Sequence, residues 1–182
     1  MTIQVTHTAI RDVKMIEPRI VSDRRGVSFD SFDQEDFDEH VARGYRFVQE
    51  RHSVSAHNVL CGLHYQIQRP QGKLVRVVNG ELVNVAVDLR RWSPTFGRYV
   101  SARLSAANCR QLWIPPGFAN GFLVLSDVAE VLCKTTEKRL PEYERTLQWD
   151  DADIAIEWDL RDVPITSERD SVGTRFSMAE VY

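Results

Sequence analysis

Asn79-Gly80 separates two apolar runs, KLVRVV and ELVNVAVD, within the stretch Leu60–Asp88, LCGLHYQIQRPQGKLVRVVNGELVNVAVD. Asn-Gly readily supplies the two positive-φ positions of a type I′ turn, so this is the strongest short-range hairpin signal in the chain. In the second run Val83, Val85 and Val87 fall on one face of a strand, and Leu82, Asn84, Ala86 and Asp88 on the other. One face reads as a dry wall; the other carries polar groups. Upstream, His64 lies in VLCGLHYQ, an extended-looking run of apolar and aromatic residues. A histidine in such a run is, on residues alone, more often a hydrogen-bonded structural group than a catalyst.

The rest of the chain repeats the strand pattern. From Tyr45 to Lys134, runs such as YRFVQ, YVSARLS, QLWIP, GFLVLS and AEVLCKTT are separated by Gly, Pro, Asn and Asp, which suggests a sandwich or barrel. Met15–Val21 reads as a short strand with Pro18 suited to an edge, SDRRG as a turn, and VSFDSF as strand-like alternation. Residues 34–44 are the best helix candidate: acidic at the start, Phe37 and Val41 four apart, Gly44 as a stop. The more polar part from Pro141 onward is expected to wrap the body in short helical and irregular pieces. The length of 182 residues predicts one domain, 1–182.

A net charge of −3, from 23 basic and 26 acidic residues, argues against a strongly electrostatic nucleic-acid surface but leaves room for a local basic pocket for a diphosphate. The N-terminal residues lack the apolar core of a signal peptide, and no run reaches membrane-spanning length. The 3 cysteines, Cys61, Cys109 and Cys133, are an odd number without metal-type spacing, which predicts a reduced, cytoplasmic setting. His7, His40, His52, His57 and His64 never fall two apart, so a bound metal is not expected. Gly-x-Ser-x-Gly, Walker and Gly-x-Gly-x-x-Gly motifs are missing from the sequence. Taken singly, Lys73 reads as a solvated strand residue, Asp170 as a helix cap, Arg25 as a turn residue and PPGFANGF as a loop feeding a strand. Residue physics alone stops at a cytoplasmic all-β binder of small molecules.

The joint order of these pieces goes further. DRRG followed by FDSF (23–32), FVQERHSVS (47–55), VLCGLHYQ and QGKLVRV (59–77), VAVDLRRWSPTFG (85–97), LSAANCRQLWIPPGFANGF (104–122), VAEVLCKTT (128–136), PEYE (141–144) and SERD (167–170) together resemble the dTDP-4-dehydrorhamnose 3,5-epimerase family of nucleotide-sugar enzymes. The resemblance implies an all-β, cupin-type antiparallel barrel (jelly roll) with a few short peripheral helices, a homodimer, and neither metal nor organic cofactor. It implies carbanion chemistry on a 4-keto-6-deoxyhexose carried on a nucleotide diphosphate, in rhamnose-like deoxysugar and polysaccharide biosynthesis. The C4 ketone acidifies C3–H and C5–H; a base removes a proton to give an enolate, and an acid returns one to the opposite face. By resemblance His64 matches the base, Asp170 its orienting partner, and Lys73 a lysine that stabilises charge on the sugar oxygen. Arg25 and Gln49 match residues that hold the nucleotide sugar, with some contacts in this family supplied by the neighbouring subunit. Trp113 and Phe118 are expected in or near the barrel mouth as support.

The departures from the family pattern are specific. Cys61 stands where Arg is usual, Asn84 for Asp, Asn120 for His, Asp30 for Glu, Arg51 for a small polar residue, and Cys133 for the tyrosine that returns the proton opposite the base. Losing a cation at 61 and an anion at 84 together removes a charge pair without stranding either partner. Arg51 restores a positive charge for a diphosphate. The odd separation of Cys61 and His64 puts them on opposite faces of a regular strand, so sharing a pocket requires a bulge, with Gly62 the candidate. Cys133 reads either as a small apolar filler, which would restrict epimerisation to C3 or leave reprotonation to water, or as a short acid. The expected activity is epimerisation at C3, C5 or both. The alternatives are a catalytically inactive cupin that binds a nucleotide sugar or a protein partner, and a related ketoisomerase.

Overall fold

In the computed structural model, which describes residues 3–182, antiparallel pairing builds two facing sheets from strands that are mostly apolar on at least one side. The elements are β1 (Ile3–His7), β2 (Lys14–Pro18), β3 (Val21–Asp23), β4 (Gly26–Ser28), α1 (Gln34–Asp36) continuing as a π-helical turn (Phe37–Val41), β5 (Gln49–Ala56), β6 (Leu60–Gln66), β7 (Lys73–Asn79), β8 (Glu81–Asp88), β9 (Tyr99–Ser105), β10 (Gln111–Ile114), β11 (Phe118–Val124), β12 (Val128–Thr135), β13 (Glu144–Thr146) and α2 (Glu168–Ser171). One sheet has the order β1-β2-β10-β7-β12-β5, the other β13-β6-β11-β8-β9, and β3 pairs only with β4 as a separate hairpin. This is the cupin-type jelly roll, with short helices at its periphery.

The hairpin expected at Asn79-Gly80 does not form. The two runs are strands, but β7 pairs with β10 and β12 in the first sheet while β8 pairs with β9 and β11 in the second. Only Gly80 takes a positive φ (+76°), so the dipeptide is not a type I′ turn. A Cβ at Gly80 would lie 2.0 Å from the Val128 carbonyl oxygen and 2.3 Å from Ser126 Oγ. Glycine is therefore required at a corner where the chain passes from one sheet to the other. The physical reason is burial: both faces of β8 are covered, a position that pairing with β7 alone could not provide. Val83, Val85 and Val87 pack with Leu63, Tyr65, Ala119 and Leu147 on the outside of the second sheet, whereas Leu82 and Ala86 join Val75, Val77, Leu112 and Ile114 between the sheets.

Two further expectations shift for related reasons. The helix covers 34–41 rather than 34–44; the Asp33 carboxylate caps it by accepting from the Asp36 backbone N–H at 2.9 Å. Phe37 and Val41 bury against Trp113, Leu74 and Ile16 on the outer face of the first sheet. Trp113 is thus 1% exposed on the side opposite the interior and does not support the barrel mouth. Its ring meets those of Phe37, Tyr45 and Phe47 at centroid separations of 5.0, 5.1 and 6.0 Å. That engagement explains why the YRFVQ run stays irregular until Gln49, where β5 begins. Phe118, by contrast, faces between the sheets. The C-terminal segment wraps the second sheet as expected, with Ile154, Trp158 and Phe176 packed over Val83, Val85 and Val87.

Candidate active site

Between the sheets, one irregularity sets the site. β6 and β11 align Asn120 with His64 and Phe122 with Cys61, so three steps along β6 match two along β11. The extra residue brings Cys61 and His64 to one face, toward the interior. Gly62 sits in the bulge at φ +114°, and a Cβ there would lie 2.7 Å from both the Asn120 carbonyl oxygen and Gly121 Cα. No other residue type fits both the dihedral and the space.

His64 is held by a residue 106 positions away. Its Nε2–H donates to Asp170 Oδ1 at 2.5 Å, and the Gly62 backbone N–H donates to Oδ2 at 3.3 Å. Ser167 caps α2 and so fixes where Asp170 stands. The Asp170 carboxyl is 3% exposed; burial pushes its pKa up, but the His64 and Gly62 hydrogen bonds outweigh it and hold the group below the usual carboxylate range. An ionised Asp170 fixes the proton on Nε2 and leaves the Nδ1 lone pair without a partner among the described residues.

The facing wall belongs to the first sheet. Lys73 Nζ reaches across to donate to the His64 carbonyl oxygen at 3.2 Å. Burial lowers the Lys73 pKa, partly opposed by Cys133, Cys61 and Glu144. Cys133 lies opposite Val75 and Arg51 in register. Burial raises the Cys133 and Cys61 pKa values, with Lys73 and Arg51 pulling the other way in each case, so both remain thiols at neutral pH. Beside His64, Asn120 Nδ2 donates to Asn84 Oδ1 at 2.6 Å and to the Val85 carbonyl oxygen at 2.9 Å; Asn84 is fully buried.

A charged rim flanks this interior at β13, and sequence reasoning did not assign it. Glu144 accepts two hydrogen bonds from Arg139 at 2.8 Å and one from Arg169 at 2.7 Å, while Arg169 Nε donates to Thr146 Oγ1 at 2.8 Å. Burial opposes ionisation of Glu144, yet the two guanidinium groups bring its pKa down to about 2. Thr146 aligns with His64 across β13 and β6, which places the rim beside His64. The available signal was position: Glu144 and Arg169 fall inside the PEYE and SERD segments. Gln49 Oε1 accepts from the Arg139 backbone N–H at 2.9 Å, and Arg51 on exposed β5 forms no ion pair among the described residues.

Two of the sequence-derived site residues are not brought here. Arg25 projects from the β3–β4 hairpin with its side chain 85% exposed and its guanidinium on Asp23 at 2.6 Å. Asp30 is exposed on the following segment. The reason is architectural: the hairpin pairs with no strand of either main sheet. A cavity of about 550 Å³ lies elsewhere, between β1–β2 and β9, lined by residues such as His7, Met15, Tyr99 and Arg110.

Comparison with known proteins matches residues 7–178 to the family described as dTDP-4-dehydrorhamnose 3,5-epimerase. A Pseudomonas aeruginosa dTDP-4-dehydrorhamnose 3,5-epimerase is 52% identical, covering 98% of this chain and 99% of the relative. The crystal structure of a dTDP-6-deoxy-D-glucose-3,5-epimerase from Legionella pneumophila, in complex with dTDP-4-keto-L-rhamnose, superposes with a TM-score of 0.96 at 42% identity, covering 98% of this chain and 95% of the other. A 3'-monoepimerase from Streptomyces bikiniensis, in complex with dTDP-quinovose, superposes with a TM-score of 0.87 at 30% identity over 94% of this chain and 87% of the other.

Proposed function

The chain belongs to the dTDP-4-dehydrorhamnose 3,5-epimerase family, and we propose how its own residues carry out that family's reaction. It is an isomerase, acting in rhamnose-type deoxysugar biosynthesis on a dTDP-linked 4-keto-6-deoxyhexose. His64 Nδ1 takes the proton from the carbon beside the ketone. Asp170, ionised and hydrogen-bonded to Nε2–H, orients the ring and stabilises the imidazolium that results. Lys73, on the facing wall, stabilises the negative charge that develops on the C4 oxygen. The observation that carries this reading is the His64–Asp170 pair with Nδ1 free and Lys73 opposite.

The returning proton comes to the other face. Cys133 offers a thiol there, shorter than the tyrosine the family pattern has at this position, with its pKa raised by burial. That substitution favours a second reading in which reprotonation, and hence inversion, is efficient at C3 and poor at C5. Incubation with dTDP-4-keto-6-deoxyglucose in heavy water, followed by NMR at C3 and C5, decides: label with inversion at both carbons supports the two-centre epimerase, inversion at C3 alone, whether or not C5 takes up label, supports the one-centre enzyme, and no label refutes both.

Arg51 is proposed as a diphosphate contact, since on exposed β5 it aligns with Cys133 and its charge reaches both Cys133 and Cys61. Arg51→Ala should weaken dTDP binding by about tenfold in calorimetry; unchanged affinity removes Arg51 from the site. We further propose a homodimer. Support comes from the unpaired edge of β5 and from the β3–β4 hairpin, where Val21 and Val27 are 60% and 66% exposed beside Arg25. In the dimer, Arg25 would serve the neighbouring subunit's site. A cytoplasmic location fits the three free thiols. No helix among the described residues is long and apolar enough to cross a membrane.

A further inference from the structure

We infer that Asn120 presents its amide oxygen, not its amide nitrogen, to the sugar, and so selects substrates that carry a ring hydroxyl at C2 or C3. This rests on the reading of the site as a nucleotide-sugar epimerase. An asparagine amide can be turned either way, and its orientation must be argued from its partners. Here one partner cannot be turned: the Val85 backbone carbonyl, 2.9 Å from Asn120 Nδ2, only accepts. The nitrogen of Asn120 must face it. The neighbouring Asn84 must then turn its own oxygen toward that same nitrogen, at 2.6 Å. This leaves Asn84 Nδ2 buried without a partner, which is the cost expected if orientation is imposed from outside the pair.

Both donor hydrogens of Asn120 are thereby committed inward. Its Oδ1 accepts from no protein group among the described residues, and it is not among the buried polar atoms left unpartnered. Asn120 stands directly across from His64 on the same face, where opposed Cβ atoms lie about 4.5–5.5 Å apart. An acceptor at that distance from the base cannot stabilise an enolate oxygen, which needs donors or cations. It matches a hydroxyl on the reacting carbon or its neighbour. Lys73 is then the group that carries the oxyanion, and Asn120 the group that reads the sugar.

The test compares calorimetric binding of dTDP, dTDP-6-deoxyglucose and the 2-deoxy and 3-deoxy analogues of that sugar to the wild type, Asn120→Ala and Asn84→Asp. The wild type should bind dTDP-6-deoxyglucose about tenfold more tightly than one of the deoxy analogues. Asn120→Ala should lose that preference while binding dTDP as the wild type does, which also establishes that it is folded. Asn84→Asp retains an acceptor oxygen for Asn120 and should keep the preference. A wild type without preference, or an Asn120→Ala protein that keeps it, overturns the inference while leaving the epimerase reading intact. Loss of preference in Asn84→Asp overturns the assigned orientation of the pair. A wild type that binds neither dTDP nor the sugar nucleotides overturns the epimerase reading and this inference with it.

Discussion

The two walls of the site are built by different means. On the second sheet, His64 is fixed by a chain of hydrogen bonds: Ser167 caps α2, Asp170 is set by that cap, and its carboxylate accepts from both His64 and Gly62. On the first sheet, Lys73 and Cys133 have few polar partners, and burial is the main influence on their charge. Hydrogen bonds fix direction, which a base needs if one nitrogen is to meet one C–H bond. Desolvation fixes no direction but raises the strength of every charge interaction in the cavity, which suits a lysine facing an oxygen whose charge only appears in the transition state. Orientation is paid for on one side and electrostatics on the other.

Removing each wall's central group separates these roles. His64→Ala should cut deuterium incorporation at C3 and C5 by about 10²–10⁴-fold in NMR-monitored heavy-water exchange; wild-type exchange would remove His64 as the base. Lys73→Met, which keeps the stem and deletes the charge, should lower kcat by about 10²–10³-fold with a smaller effect on dTDP binding. An equal loss in both would make Lys73 a binding group rather than an oxyanion group. Cys133→Ala sharpens the comparison further. Exchange at C3 should change less than about tenfold, and the inverted product at C5, if the wild type makes any, should fall more. Equal loss at both carbons would give the thiol a role in C3 chemistry as well.

The smallest effect concerns the rim. Glu144 has its pKa lowered to about 2 in the folded chain from an ordinary 4.5, so it contributes stability that is present above about pH 4.5 and lost as pH falls toward 2. The lowered Asp170 acts with the same sign. Thermal midpoints should therefore drop on acidification through this window, and Glu144→Gln should flatten the drop. A variant with the wild-type slope would show that the arginines around Glu144 do not stabilise the fold.

Much of this was legible in the sequence. Alternating apolar residues and frequent turn residues from Tyr45 to Lys134 determined an all-β body, because side chains on a strand alternate faces whatever the partner strand. The order of motifs, rather than any one of them, singled out His64, Asp170 and Lys73, which the fold brings together. Counting also set the condition that Cys61 and His64 share a face only through a bulge, with Gly62 the candidate, and the register shift opposite Asn120–Phe122 meets it. What the sequence did not determine is who pairs with whom. Asn79-Gly80 carries strong local preference for a hairpin, but β7 pairs with β10 and β12 and β8 with β9 and β11, and the dipeptide became a corner between sheets. Trp113 alternates like any strand residue; only the helix folded back from 34–41 decides that its side is the dry one. Glu144 and Arg169 lie 25 residues apart and meet only because β13 and α2 both close on β6. The orientation of Asn120 depends on one backbone carbonyl of a neighbouring strand. Local pattern reports a residue's own preferences, whereas pairing, facing and hydrogen-bond direction are settled by competition among segments far apart in the chain, and only the folded structure records which of them won.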